Sequence, residues 1–236
     1  PAATIDYYLN TDADKGLTMT IAKSSDPSSP VRVFRNIKEL TDTTMTTERN
    51  MQTEFRRRGI TSALAPEAGL QRLQWDMRHY GAYDKEKGTY TGTGPLVAPG
   101  KYTITLKVNE KELKQDIMID VDDNVLTAGV SQSDMVAQEQ LSLQIRDLRA
   151  AAQALEKELK KNIKNNDSLK TAYNQLVTKE GRYEQPMFLA QIRYLYSMLQ
   201  RADQRPGKDA YNRYDTLKKW FDDIQKMAEQ ASSTDD

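Results

Sequence analysis

The chain contains no cysteine and a single histidine, His79. The first absence excludes disulfides, thiolate metal sites and a cysteine nucleophile, and the second excludes a His-rich metal site or a multi-histidine relay. Net charge is missing too, since 34 Lys and Arg stand against 34 Asp and Glu. The two signs are evenly mixed, with 17 basic and 18 acidic residues through Asp123 and 17 and 16 after it. A field able to gather nucleic acid or an anionic membrane is therefore not expected. No apolar run approaches the roughly 18 residues a membrane span needs. The opening Pro1-Ala-Ala-Thr-Ile5 shows neither the basic nor the apolar region of a signal peptide. Gly-rich phosphate loops, nucleophile elbows and His-Glu-x-x-His sequences are absent, and no carboxylate pair is marked out as acid and base. The sequence thus predicts no cofactor, no metal and no catalytic residue.

What is present is enough for two cores: 236 residues, 38% of them hydrophobic and 29% charged. Character changes near Asp123. Before it lie short runs of β type separated by turn residues: Thr4–Leu9, Leu17–Ile21, Pro30–Phe34, Leu70–Trp75, Lys101–Val108 and Leu113–Val121. Asn10 to Gly16, rich in Asp and ending on Gly, reads as a hairpin loop between the first two strands, and Leu17, Met19 and Ile21 share one face. Asn109-Glu-Lys-Glu112 reads as a second hairpin connection. Six such strands imply an antiparallel sandwich. Two stretches do not fit it. Thr41 to Pro66 reads as an insertion in which Met51 and Phe55, four apart, anchor a short helix. Tyr80 to Gly94, with Gly81, Gly88, Gly92 and Gly94, reads as a mobile loop.

After Asp123 the period becomes helical. Leu141, Ile145, Leu148, Ala152, Leu155 and Leu159 form a seam that requires a partner helix, with Ser131 or Ser133 as cap and Asp134 in the first turn. Ser168 to Lys179 is a weaker segment. Pro186 suits the first turn of a helix carrying Phe188, Ile192, Leu195 and Leu199. Pro206-Gly207 breaks the chain before Ala210, Tyr214, Leu217, Phe221, Ile224, Ala228 and Ala231 resume the seam. The expected fold class is α+β in two domains: an antiparallel β-sandwich over 1–123, a linker over 124–132, and an up-down bundle over 133–231 with three long helices and room for a short fourth. A polar tail covers 232–236.

Several of these residues carry a resemblance. Tyr7-Tyr8-Leu9, Leu17–Ile21, Val31–Phe34, Ala68 to Arg78 with its Trp75-Asp76, and Gly94 to Leu106 with its Ala98-Pro-Gly-Lys-Tyr102 resemble the Ig-like domain of flagellar hook-capping type. There a Trp-Asp strand end precedes a Pro-Gly-x-Tyr strand. With Gln185-Pro186 and Tyr194-Leu-Tyr196 added, nearly the whole chain is similar to the C-terminal region of exported bacterial sortilin-like or sialidase-type glycosyl hydrolases. The resemblance implies an Ig-like sandwich and a periplasmic, cell-surface or extracellular location. It implies an accessory role beside a β-propeller of the same precursor or complex. Any activity would belong to that upstream propeller, so no catalytic residue carries over. Carbohydrate binding that presents a glycan to a glycosidase is the alternative.

Each candidate residue has a plainer role beside the sharper one. Asp12-Ala-Asp14-Lys-Gly16 lacks the ligands of a calcium loop and the pattern of an Asp box, which favours an ordinary turn. Asp120, Asp122 and Asp123 could hold a cation between domains, but a solvated linker is the simpler reading. Trp75 alternates with Leu73 onto the face a strand buries, so it is expected in the core, with Asp76 tying down the following loop and Tyr102 also structural. His79 has no second imidazole to work with. Arg56, Arg57 and Arg58 form a local basic spot for an acidic partner or for solvent. Tyr83 and Tyr90 are the best candidates for ligand or partner contact.

Overall fold

The structure is a computed structural model and describes residues 2–37, 63–84, 86, 89–163, 166–181 and 183–233. It divides into two units, Pro1–Thr127 and Ala128–Asp236. The first is built of antiparallel strands and the second of helices. Met51, Phe55, Arg56, Arg57 and Arg58, and the helix expected around them, lie outside the described residues, as does Lys85.

Among the described residues the first unit has eight strands: β1 (Ala3–Leu9), β2 (Leu17–Lys23), β3 (Asp26–Arg35), β4 (Gly69–Trp75), β5 (Arg78–Asp84), β6 (Thr89–Leu96), β7 (Gly100–Val108) and β8 (Lys111–Ile119). β1 pairs with β4, β5 with β6, and the remaining four make a sheet in the order β3-β2-β7-β8. Two expectations are corrected here. The first two strands are not a hairpin: β1 pairs with β4, while β2 pairs with β3 and β7. The Asn10–Gly16 stretch therefore passes from one sheet to another. It is held by long-range bonds, with the Asn36 side-chain amide donating to the Ala13 and Asp14 carbonyls (both 2.8 Å) and Ala68 N–H donating to the Asp12 carboxylate (2.8 Å). The second correction is that, of the stretch expected as a mobile loop, residues 80–84 and 89–94 are strand, paired with one another as β5 and β6.

Alternation places the core of this unit. Leu17, Met19 and Ile21 of β2 point inward and are fully buried, as are Leu73 and Trp75 of β4. Tyr7, Leu9, Val31, Phe34, Tyr102 and Ile104 join them in one cluster drawn from both the β1–β4 pair and the four-stranded sheet. Trp75 meets Tyr102 edge to face, with ring centroids 5.8 Å apart. Tyr102 in turn donates to the Ala98 carbonyl four residues earlier (2.6 Å). The end of the expected insertion belongs to this core: Leu64 is fully buried and bridges to Asn36. β7 and β8 are joined by the tight turn at Asn109-Glu110, where Asn109 takes φ 54°, a left-handed conformation asparagine tolerates.

The stretch expected as a linker begins with a one-turn helix, α1 (Asp123–Thr127), whose start is tied by the Asp122 carboxylate accepting from Asn124 N–H (2.8 Å). The second unit then holds α2 (Gln132–Asn162), α3 (Asp167–Leu176), α4 (Phe188–Leu199) and α5 (Lys208–Ser233). Ser131 caps α2 in a reciprocal box with Asp134. Asn166 caps α3 by accepting from Leu169 N–H. Pro186 lies just ahead of α4 rather than in its first turn, since Met187 is the N-cap residue. One core unites Leu141, Ile145, Ala152 and Leu159 of α2 with Leu169 and Leu176 of α3, Phe188 and Ile192 of α4, and Leu217, Phe221 and Ile224 of α5. Polar ties show the course of the chain. Gln138 near the start of α2 donates to the carbonyls of Leu199, the last residue of α4, and of Ala202 just beyond it, and Asn166 before α3 donates to Ala231 near the end of α5. So α3 and α4 together run back along α2, and α5 returns again.

Candidate functional site

The β5–β6 hairpin carries the candidate residues Tyr83 and Tyr90, which are register partners across its two strands. Its sequence explains why it forms. Ala82 faces Thr91 and Tyr80 faces Thr93, and Thr and Tyr suit a pleated surface. The register slips between Arg78 and Tyr80, opposite Gly94-Pro95. Proline has no N–H to give a ladder and is tolerated at such an irregularity. Gly94 is required by space: a Cβ there would lie 2.0 Å from the Tyr80 carbonyl oxygen.

What fixes the hairpin is a row of π and cationic groups running outward from the first unit. Arg32 of β3 is buried, its guanidinium lying 4.8 Å from the centre of the Tyr80 ring and donating to the His79 carbonyl (3.4 Å). The Tyr80 hydroxyl donates to the Val33 carbonyl (2.5 Å) and accepts from Val33 N–H (3.0 Å). A side chain thus satisfies both backbone groups of one residue on the free edge of the four-stranded sheet. Tyr90 stacks on Tyr80 at 4.3 Å with planes 11° apart, and Tyr83 meets Tyr90 edge to face at 5.1 Å. Exposure grows along the row to 38% at Tyr90 and 48% at Tyr83.

Beneath the row lies the β4–β5 corner. Trp75 is fully buried and its indole N–H donates to the Arg78 carbonyl (3.2 Å). Asp76 accepts from Arg78 N–H (3.3 Å) through Oδ1, across Met77 at φ 51°. Its other carboxylate oxygen is buried and has no hydrogen-bond partner among the described residues. Burial pushes the Asp76 carboxyl above its ordinary value, against the opposing pull of the Arg32 charge and the Arg78 N–H and charge. A perturbed carboxyl marks a functional site when it lines a cleft; this one is enclosed at a strand corner and acts on the backbone.

The other candidates are dispersed. His79 lies in β5 with its carbonyl taken up by Arg32. Among the described residues no three His, Asp or Glu side chains gather as metal ligands. No described helix is long and apolar enough to cross a membrane. Sequence reasoning singled out Tyr83 and Tyr90 but not Arg32, Tyr80 or Gly94, which hold them. The alternation Thr89-Tyr-Thr-Gly-Thr93 was the available signal, masked by the glycines around it.

No family model, curated protein or solved structure matches the chain.

Proposed function

We propose that the chain is a non-catalytic interaction module whose first unit docks a protein partner through the tyrosine hairpin. The carrying observation is the row Arg32–Tyr80–Tyr90–Tyr83, because it presents two exposed tyrosines on an element already clamped to a sheet edge. Aromatic side chains held before binding lose little freedom when a partner arrives, and tyrosine is a frequent anchor of interfaces. We read the first unit as an Ig-like sandwich. Two features support that reading: the β1–β4 pair shares a core with a four-stranded sheet in the order β3-β2-β7-β8, and the Tyr102 hydroxyl reaches back to Ala98 near the start of its strand, as in a tyrosine corner. The second unit is read as an up-down bundle whose middle leg is split into α3 and α4. The resemblance to the C-terminal region of sortilin-like and sialidase-type proteins then makes a β-propeller of the same precursor or complex the partner, in the periplasm or at the cell surface.

Glycan binding is the second reading, favoured by the same exposed rings. It is the weaker because a sugar platform needs an open ring face, and Tyr80 covers one face of Tyr90. Placing a photo-crosslinking phenylalanine analogue at position 83 in the native host tests the choice. The expected adduct is a protein, lost when Tyr90→Ala is added. A glycan-array signal abolished by Tyr83→Ala with Tyr90→Ala would transfer the site to carbohydrate. Hydrolysis of a chromogenic glycoside by the purified chain, abolished by one carboxylate substitution in a folded variant, would overturn both readings.

A further inference from the structure

Helix α4 is more apolar than one buried face requires. Of its twelve residues only Gln191, Arg193 and Ser197 are polar. Phe188, Ile192, Leu195 and Leu199 already fill the core of the helical unit. A helix apolar nearly all round is ordinarily covered on more than one side. Yet Ala190, Tyr194 and Met198, spaced four apart, form a second stripe, with Tyr194 63% and Met198 37% exposed. That stripe lines an open groove of about 1030 Å³ shared with Pro186, Pro206 and Ala210. On the other side of Arg193 a smaller cleft of about 280 Å³ is lined by Leu189, Val177 and Arg149.

Charge identifies what fits. The two clefts carry Arg149, Arg193 and Arg213 against the single carboxylate Asp209, a local excess in a chain with no net charge. Among the described residues neither Arg149 nor Arg193 has a hydrogen-bond or ion-pair partner, and Arg213 donates to the neutral Gln191 side chain. A second copy bound face to face would set the same arginine-rich patch against itself, since such contacts are isologous. Like charges brought together that way oppose binding.

We propose that this face of the helical unit docks a helix of a protein partner, its apolar stripe lying along Ala190, Tyr194 and Met198 and its flanking carboxylates meeting Arg149, Arg193 and Arg213. A twelve-residue helix is about 18 Å long, so three turns of a partner helix cover the stripe. This surface is separate from the tyrosine hairpin and does not depend on it.

The test uses the full chain as bait for a displayed library of helical peptides, with a fixed apolar stripe at i, i+3, i+4 and i+7 and flanking positions free to be Glu or Lys. Enrichment of Glu is expected. Affinity for a selected Glu peptide should fall roughly tenfold or more when Arg193→Glu and Arg213→Glu are combined, and similarly with Tyr194→Ala. Arg193→Lys with Arg213→Lys should retain binding, which guards against a folding defect in the charge-reversed chain. Tyr83→Ala with Tyr90→Ala should leave binding unchanged, so failure here and failure of the hairpin reading are separable. The proposal is overturned by selection without charge preference, by no selection, or by a selected peptide that binds the charge-reversed chain equally well. Self-association of the chain that disappears with Tyr194→Glu would also overturn it, in favour of a second copy.

Discussion

Each unit buries a core of its own, but the two do so over different distances along the chain. In the helical unit much of the ordering is local. Ser131 and Asp134 close the start of α2, Asn166 closes the start of α3, and the seam residues sit three and four apart. In the β unit the ties are remote: Tyr7 to Ala65, Ser24 to Thr103 and Tyr80 to Val33. Both units bury polar groups, Arg32, Asn36 and Asp76 in the β unit and Gln138, Glu139 and Ser142 in the helical one. A helix can be recognised from a window of sequence, whereas a strand becomes stable only through a partner supplied elsewhere. The helical unit should therefore respond to changes in caps and seam, and the β unit to changes in a few long-range anchors.

The largest test of that contrast is a pair of truncations. Trp75→Ala should cost about 3–5 kcal/mol and Ile145→Ala about 2–5 kcal/mol, since both side chains are fully buried. Each should lower the stability of its own unit. Trp220 lies in α5 and reports on the helical unit in the Trp75→Ala chain, while far-UV ellipticity follows both units through urea unfolding. Equal displacement of both transitions by either substitution would show that the units do not unfold separately.

A smaller effect is specific to the strand corner of the β unit. The Asp76 carboxyl holds its proton to higher pH in the folded chain than its ordinary value of 3.8. Its contribution is therefore fully present below that ordinary value and is lost as pH rises through the raised folded value. Relative to Asp76→Asn, the natural chain should lose stability from about pH 4 upward at up to about 1.4 kcal/mol per pH unit, then level off. Urea midpoints for both proteins across this range check the sign. Parallel curves would mean that Arg32 and Arg78 fully offset the burial.

These distances also explain what could be read in advance. The helix seams were legible because Leu141 to Leu159 and Ala210 to Ala231 repeat within their own segments. The strands β1, β2, β4 and β7 were legible as strands, and so was the β7–β8 hairpin, but the pairing of β1, β2 and β4 was not. Asn10 to Gly16 looks like a hairpin loop because nothing within it reveals Asn36 and Ala68, the residues that hold it open between sheets. The β5–β6 hairpin was hidden by glycines that read as mobility, although Gly94 is there to let two backbones approach. Trp75, Asp76, Tyr83 and Tyr90 could be singled out individually. Their assembly depends on Arg32, far back in the chain, which no spacing rule connects to them.

The smallest expected effect is at a helix start. Ser131→Ala removes the acceptor for Asp134 N–H and should cost about 1 kcal/mol, confined to the helical unit. A shift in the midpoint reported by Trp220, with near-UV signals of the β unit unchanged, is the expected reading. An equal response from the β unit would break the comparison at its weakest point.

Gly94 bears on how a substitution map of this protein should be read. Any side chain there meets the Tyr80 carbonyl, so every replacement must disturb the hairpin, although the position offers nothing for a ligand to touch. Tyr83, exposed at the outer end of the row, should accept many replacements as far as folding is concerned. A screen scored only on survival of the fold would rank these two positions in the reverse order of their contact with a partner. Expression level and capture must be scored as separate axes, and the residues of interest are those that are silent on the first and loud on the second.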